Sequence, residues 1–156
     1  MTIRPYRESD RETLRAITVE AFDGVSIDQN IELRFGLVAG NDWRFRKGRH
    51  IDEDVEAVGA AILVAENERG EIIGYITTQL DREAGVGLIP NMSVRAGLRG
   101  QGIGRKLIDA ALGLFRDAGL ELARIETLDQ NQIGQHLYPE CGFVEVARQI
   151  HFALRL

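Results

Sequence analysis

Residues 98–106, with the sequence LRGQGIGRK, have the residue types best suited to hold an anion. Three glycines alternate with other residues in this segment, between Arg99 and Arg105. Glycine removes side chains and lets a ligand approach the backbone, and the N–H groups at the start of a helix attract negative charge. A helix-like apolar pattern begins directly after the segment, which we call the glycine loop. The pattern predicts a cradle for an anion such as a phosphate.

Two common phosphate-binding motifs do not fit the glycine loop. A P-loop that starts at Gly97 would need a lysine after Gly102, but Ile103 stands there. A dinucleotide-binding fingerprint that starts at Gly100 would need its third glycine where Arg105 stands. Neither motif therefore explains the loop.

The pattern R-x-x-G-x-G, which follows a predicted strand and enters a predicted helix, resembles the acetyl-CoA loop of the GNAT superfamily of N-acetyltransferases, [QR]-x-x-G-x-[GA]. The longer stretch VRAGLRGQGIG is similar to the family pattern V-x-P-x-x-R-G-x-G-I-G, with Ala96 in place of proline. The resemblance implies acetyl-CoA as cosubstrate and no metal. It also implies that the pyrophosphate is bound by the loop residues Arg99, Gly100, Gln101, Gly102, Ile103, Gly104 and Arg105.

A second motif lies near the C-terminus, in the stretch NQIGQHLYPECGF. The resemblance implies that Asn131 hydrogen-bonds the pantetheine arm of the coenzyme and that Tyr138 protonates the departing thiolate. Asn131, Gln135 and Tyr138 share one face of the predicted helix. Asn131 as a helix N-cap is a compatible role, and Tyr138 as a core residue is the alternative to catalysis. Cys141 is interpreted as a buried structural thiol.

The segment GVGLIPNMSV, residues 85–94, is an apolar strand interrupted by Gly87 and Pro90. A proline removes a hydrogen-bond donor from a sheet, so this strand is expected to be bulged or broken. We expect the interruption to splay the strand from its parallel neighbour. The freed backbone N–H of Met92 would then stabilise the oxyanion of the reaction. The family resemblance implies that Met92 and Val94 pair with the coenzyme arm.

The general base cannot be chosen from the sequence, because the strand before the glycine loop carries no carboxylate. Glu126, Asp81, Glu83 and the Asp52–Glu56 cluster are all candidates. The resemblance places the amine acceptor near residues 22–56 and 81–86. Trp43 and Phe45, in the first of these ranges, are expected mainly to pack in the core.

The fold class is predicted to be α/β (α+β), a single GNAT-like domain over residues 1–156. The pattern gives the order β-α-α-β-β-β-α-β-α-β-β, with about seven strands in a mainly antiparallel sheet and about four helices. One parallel βαβ step is expected around residues 86–128. Residues 43–56 are interpreted as an irregular, charge-balanced connection or a substrate-side loop, and residues 143–156 as a terminal pair of strands.

The composition limits the remaining function classes. A net charge of −5 argues against nucleic-acid binding, and no segment could span a membrane. The single cysteine favours a reducing, cytoplasmic compartment. We expect an N-acetyltransferase that moves acetyl from acetyl-CoA to a primary amine of a small molecule, peptide or protein. The alternative is a non-catalytic acyl-CoA sensor or partner-binding domain, and a homodimer is one option for the assembly.

Overall fold

The computed structural model describes all residues from Met1 to Leu156 and contains one six-stranded sheet. Its strands are β1 (Thr2–Pro5), β2 (Ala60–Glu66), β3 (Ile72–Asp81), β4 (Val86–Ile89), β5 (Met92–Val94) and β6 (Leu122–Ile125). Its helices are α1 (Arg11–Ala21), α2 (Ile27–Phe35), α3 (Trp43–Glu56), α4 (Ile103–Asp117) and α5 (Gln132–Glu140). Short 3₁₀ turns cover 8–10 and 96–98.

The sheet is mixed and mainly antiparallel, as predicted. Strands run in the order β1-β2-β3-β4-β6, and β5 pairs with β3 beside β4. The pair β4–β6 is parallel, with Val86 opposite Leu122 and Ile89 opposite Ile125, and α4 makes the crossover between them. The predicted βαβ step is therefore confirmed.

The interruption predicted in residues 85–94 is present at Pro90 and Asn91, which separate β4 from β5. Gly87 has a different role from the one expected, because it lies within the paired part of β4. A Cβ atom on Gly87 would lie 2.5 Å from the Phe115 ring of α4. Gly87 thus allows α4 to pack closely on the sheet, and the break rests on the residues around Pro90.

Two apolar cores lie on opposite faces of the sheet. One is formed under α4 by residues such as Leu63, Leu107 and Phe115. The other lies under α1 and α3 and includes Leu14, Ile17, Ile51, Val64 and Tyr75. Alternation along β2 sends neighbouring side chains to different cores.

Residues 43–56 form the helix α3, so the interpretation as an irregular connection was wrong. The Asp42 side chain caps the helix by accepting a hydrogen bond from the Phe45 N–H at 2.9 Å. The buried side chains Trp43, Lys47, Ile51 and Asp54 recur every three or four residues, but two of them are charged. Charged residues on the buried face hid the helical period, because the pattern counts only apolar residues.

Residues 143–156 contain no strand, so the predicted terminal pair is absent from the single chain and the sheet has six strands instead of about seven. The side chains alternate as in a strand, but a strand also needs a neighbour for its backbone hydrogen bonds. This segment, which we call the C-terminal arm, has no such neighbour within its own chain.

Candidate active site

The glycine loop forms an open concavity at the start of α4. Gly100 and Gly102 have φ angles of +78° and +75°, a conformation that favours glycine, and no atom lies within 4 Å of where their Cβ atoms would be. The first intrahelical hydrogen bond is donated by Lys106 to the Gly102 carbonyl at 3.1 Å. The N–H groups before it have no partner in the helix.

The first turn of α4 has no side-chain cap and no acidic residue. These features leave the positive end of the helix dipole free to attract an anion, and they fit the phosphates of a coenzyme. Gln101 and Gly102 are exposed, Ile103 anchors the turn in the core, and Gly104 is half-buried. A Cβ on Gly104 would lie 3.1 Å from Leu137 of α5, so this glycine lets the two helices approach.

The two arginines of the loop are already engaged by the protein. Arg99 donates a hydrogen bond to the carbonyl of Ala21, at the end of α1, at 2.9 Å. Arg105 donates to the carbonyl and the carboxylate of Glu140 at 3.0 and 3.1 Å. The Lys106 side chain is exposed and forms no hydrogen bond or ion pair. The helix N–H groups are therefore the main feature that the loop offers to a phosphate.

Strand β5 presents one unpaired edge beside the glycine loop. The Asn91 carbonyl accepts a hydrogen bond from β3 at 2.8 Å, and the Arg95 N–H donates one to β3 at 3.0 Å. In an antiparallel ladder alternate residues point away from the partner strand, so Met92 and Val94 direct their N–H and C=O groups away from β3. No strand pairs with this edge, because β6 ends at Ile125, opposite β4.

Asn131 is the N-cap of α5, as considered from the sequence. Its side chain accepts a hydrogen bond from the Gly134 N–H at 3.3 Å and donates to Thr127 at 2.8 Å. A Cβ on Gly134 would lie 2.7 Å from the Thr127 hydroxyl, which explains glycine there. Helix α5 continues one residue past Pro139, to Glu140, instead of stopping at the proline.

Tyr138 lies near the end of α5, half-buried against the core below α4. Its ring makes an edge contact with Phe143, with centroids 6.3 Å apart, and its hydroxyl has no hydrogen bond from the protein. Burial raises the pKa of Tyr138 to about 12. The neighbouring Cys141 is half-buried, not fully buried as expected, and burial raises the pKa of its thiol.

The candidate bases differ in burial and in the partners that they already have. Glu126, Asp81 and Glu83 are exposed, and Asp81 accepts a hydrogen bond from a turn N–H at 2.9 Å. Asp52 forms ion pairs with arginines of α1 at 2.8 and 3.2 Å. Asp54 alone is buried, with 6% of its surface exposed.

Asp54 belongs to a buried polar network at the break between β4 and β5. Its Oδ2 atom accepts hydrogen bonds from the Thr77 hydroxyl at 2.8 Å and from the Asn91 side-chain amide at 2.7 Å. The Asn91 Oδ1 atom accepts one from Lys47 Nζ at 2.8 Å. The second oxygen of Asp54 accepts no hydrogen bond from the protein. The network ties α3 to the residue that precedes Met92.

Sequence reasoning missed Asn91, Lys47 and Thr77 as members of this site. The available signals were the asparagine directly after Pro90 and the seven-residue spacing from Lys47 to Asp54, two turns along one face of a helix. Burial raises the pKa of Asp54, and its two hydrogen bonds oppose that rise. Burial lowers the pKa of Lys47 to about 8, against the pull of neighbouring carboxylates.

The depressed pKa of Lys47 predicts a pH dependence of stability. Folding favours the neutral form of Lys47, because its folded pKa of about 8 lies below the unfolded value of 10.5. The resulting stability is fully present above pH 10.5 and is lost as the pH falls through 8. The difference between the folded and the unfolded pKa corresponds to roughly 3 kcal/mol in the free energy of unfolding. We expect the free energy of unfolding, measured in urea, to rise between pH 8 and 10.5 more steeply in the native sequence than in Lys47→Met. Lys106→Met, at the exposed lysine, is the control and should keep the native slope; equal slopes in all three proteins would contradict the prediction.

The proposed acceptor side is bounded by α1, α2 and α3. Trp43 is 3% exposed and packs in the interior, as expected, but Phe45 is exposed. Beside Trp43 lies a surface pocket of about 470 Å³, which is also lined by Gln29, Glu32, Leu33, Gly36 and Leu37. The pocket combines an apolar wall with one carboxylate.

None of the helices in the protein is both long and apolar enough to cross a bilayer.

Comparison with known proteins places this geometry in a family. Residues 29–143 match the acetyltransferase (GNAT) family. A mycothiol acetyltransferase from Propionibacterium freudenreichii subsp. shermanii is 30% identical over 96 residues. That match covers 60% of this chain but only 31% of the relative, so the chain spans about a third of that protein's length.

Solved structures share the fold over nearly the whole chain. A tetramutant of the BH1408 protein from Bacillus halodurans has a TM-score of 0.76 at 16% identity, covering 99% of this chain and 100% of that one. The aminoglycoside N-acetyltransferase AAC(6')-Iy in complex with CoA has a TM-score of 0.68 at 18% identity, with coverages of 99% and 100%. The family match spans most of the chain and includes the glycine loop, β5 and α5. By its sequence and its fold, this chain belongs to the GNAT family of acetyltransferases.

Proposed function

We propose that the protein transfers an acetyl group from acetyl-CoA to a primary amine by direct attack within a ternary complex. The observation that carries the proposal is the unpaired edge of β5, which directs the Met92 and Val94 backbone groups into a gap beside the unpartnered N–H groups of α4. The gap suits an extended arm that pairs like a strand, and the helix start suits a diphosphate at its end. Acetyl-CoA would supply an activated acetyl thioester to this gap.

The glycine loop is proposed to bind the coenzyme phosphates through Arg99, Gly100, Gln101, Gly102, Ile103, Gly104 and Arg105. For the two arginines this binding would require a change of partner, because both are engaged within the protein. Asn131 would contribute its remaining amide hydrogen to the coenzyme arm. The outward N–H of Met92 would donate to the oxygen on which negative charge develops.

Asp54 is proposed as the group that takes the proton from the acceptor amine, directly or through water. An amine of ordinary pKa is mostly protonated at neutral pH, so a base assists its attack. Asp54 lies on the face of the sheet that α1 and α3 cover, one hydrogen bond from Asn91 and therefore next to the proposed oxyanion donor. Its second oxygen is free of protein partners and suits this task.

Tyr138 is proposed to act on the departing thiolate as a hydrogen-bond donor. A phenol with a pKa of about 12 is a weaker acid than an ordinary thiol, whose pKa is near 8.5. Complete proton transfer to the sulfur would therefore be unfavourable. A donated hydrogen bond from an otherwise unpaired hydroxyl stabilises the thiolate, and the proton released by the amine can neutralise it afterwards.

The experiment that tests this function follows release of the free CoA thiol from acetyl-CoA across a panel of amines. The panel includes neamine, because a solved structure of AAC(6')-Iy holds a CoA-acetylneamine bisubstrate analogue, along with amino sugars and lysine peptides. Thiol release with one class of amine would support the proposal. Stabilisation by CoA without release for any amine would favour the alternative, a non-catalytic acyl-CoA sensor. Absence of stabilisation by CoA would contradict both.

Tyr138→Phe should lower kcat roughly 10- to 100-fold while CoA still raises the melting temperature as in the native protein. The expected loss corresponds to about 1.4–2.7 kcal/mol of transition-state stabilisation, in the range of one hydrogen bond to a charged group. The fold should tolerate the change, because the hydroxyl has no protein partner to leave unsatisfied. An unchanged kcat would assign Tyr138 to packing alone.

A further inference from the structure

Lysine is rare in this chain, and one of its two lysines is buried. Among the nineteen Lys and Arg residues only Lys47 and Lys106 are lysine. Lys106 is exposed, whereas only 7% of the surface of Lys47 is exposed. A buried ammonium group normally needs an ion pair, but Lys47 forms none, and its one side-chain hydrogen bond goes to the neutral Asn91 side chain. This environment favours the neutral amine, which is the nucleophilic form.

The Lys47 amine lies at the break between β4 and β5. Its Nζ atom donates to Asn91 Oδ1 at 2.8 Å and lies 3.8 Å from the centroid of the Phe22 ring. Asn91 is followed directly by Met92, whose outward N–H is the proposed donor to the acetyl oxygen. Helix α3 holds Lys47 on the face of the sheet that carries the proposed acceptor side. The protein thus places an amine of its own beside the position proposed for the acetyl group.

The same network supplies a group that can take a proton from this amine. The Asn91 side chain bridges the two residues, because it accepts from Lys47 through Oδ1 and donates to Asp54 Oδ2 at 2.7 Å. The second oxygen of Asp54 has no hydrogen bond from the protein. Burial lowers the pKa of Lys47 to about 8. About a tenth of the Lys47 amine is therefore already neutral at pH 7.

We propose that Lys47 is a self-acetylation site, which takes the acetyl group from acetyl-CoA bound to the same chain when no acceptor amine is present. The step rests on the proposed function, because it uses the same donor. The neutral Lys47 nitrogen attacks the thioester carbonyl, so that a C–N bond forms and the C–S bond breaks. Asp54 takes the proton that the nitrogen loses, and this proton then neutralises the departing thiolate. The products are acetyl-lysine and free CoA thiol.

Acetylation of Lys47 is expected to block the acceptor side. The modification removes the positive charge and leaves one N–H, which can still donate to Asn91. The added acetyl group would remain beside Met92, where the next acetyl thioester has to be placed. A chain acetylated at Lys47 should therefore transfer acetyl to other amines more slowly.

The first test incubates the native protein with acetyl-CoA in the absence of any amine and locates acetyl groups by peptide mapping with mass spectrometry. Lys47 should be acetylated at least roughly 10-fold faster than the exposed Lys106, because a bound donor holds the thioester close to it. The rate per chain should be independent of protein concentration, and excess CoA should slow it. Faster acetylation of Lys106, no acetylation of Lys47, or a rate that rises with protein concentration would overturn the proposal.

The small number of lysines allows a matched pair of variants. Lys106→Arg leaves Lys47 as the only lysine and should still be acetylated there, whereas Lys47→Arg keeps Lys106 and should gain no acetyl group on lysine. A rise in melting temperature with CoA shows that Lys47→Arg is folded. If this variant does not fold, the peptide map of Lys106→Arg decides alone, and absence of acetylation at Lys47 in it contradicts the proposal.

A final measurement separates this site from the proposed function. Preincubation with acetyl-CoA should lower the later release of CoA thiol with a panel amine in proportion to the fraction of Lys47 that is acetylated. An undiminished rate in acetylated chains would overturn the block. Acetylation of amines without acetylation of Lys47 would refute the self-acetylation site and leave the proposed function standing. If CoA raises the melting temperature but neither Lys47 nor any amine is acetylated, both are contradicted.

Discussion

Gly102→Val is expected to abolish stabilisation by CoA and to weaken CoA binding by at least roughly 100-fold, which corresponds to about 2.7 kcal/mol. Gly102 precedes the first residue of α4 and has a φ of +75°. A β-branched side chain there would occupy the open space through which a phosphate reaches the unpaired N–H groups. The left-handed conformation costs a residue other than glycine about 1–2 kcal/mol. Valine would therefore also favour a different backbone conformation at this position.

The control for this change is Gly70→Val, in the turn between β2 and β3. Gly70 has the same φ of +75° and the same empty surroundings, so its substitution imposes the same backbone strain. Differential scanning fluorimetry should show a similar fall in melting temperature for both variants without ligand. Only Gly70→Val should regain stability with CoA. Full stabilisation of Gly102→Val by CoA would show that the phosphates bind elsewhere.

Asp54→Asn is expected to lower kcat roughly 10²- to 10⁴-fold at neutral pH, the range usual for the loss of a general base. The carbonyl oxygen of an asparagine can accept the same hydrogen bonds from Thr77 and Asn91, so the shape of the strand break is kept. The substitution therefore removes the ability to take a proton and leaves the network in place. CoA binding should remain unchanged.

The pH dependence of the reaction rate gives a second test of Asp54 as the base. The base acts when ionised, and because burial raises the pKa of Asp54, the native rate should fall as the pH drops through a value above the ordinary 3.8. That acidic limb should disappear in Asp54→Asn, and the deficit should shrink at high pH, where the free amine is already neutral. Asp52→Asn, two residues earlier on α3, is the matched control and should leave kcat unaltered. If Asp54→Asn keeps the native rate and profile, Asp54 only positions the strand break.

The proposed coenzyme half of the site was predictable because its backbone shape depends on local sequence. The glycine loop, the break at Pro90 and the start of α5 at Asn131 each depend on residues within one short segment. Glycine, proline and a capping amide constrain the backbone in ways that need no knowledge of distant contacts. These elements appear in the structure where the sequence predicts them.

The other half could not be predicted, because it depends on contacts between distant residues. Lys47 and Asp54 read as surface charges until α3 packs on the sheet and buries them beside Asn91. The same charges concealed the helix itself. The prediction for the C-terminal arm was wrong for the opposite reason, because there the local pattern was clear. The pattern is that of a strand, but pairing requires a neighbour that the single chain does not provide.

The two separate cores have a consequence for how such an enzyme can change over evolutionary time. The helices α4 and α5, which belong to the proposed coenzyme site, rest on one face of the sheet, while α1 and α3, on the proposed acceptor side, rest on the other. A substitution that repacks one layer is shielded from the opposite layer by the hydrogen-bonded sheet between them. We therefore expect substitutions in the layer of α1 and α3 to alter the proposed acceptor side while the proposed coenzyme side is kept.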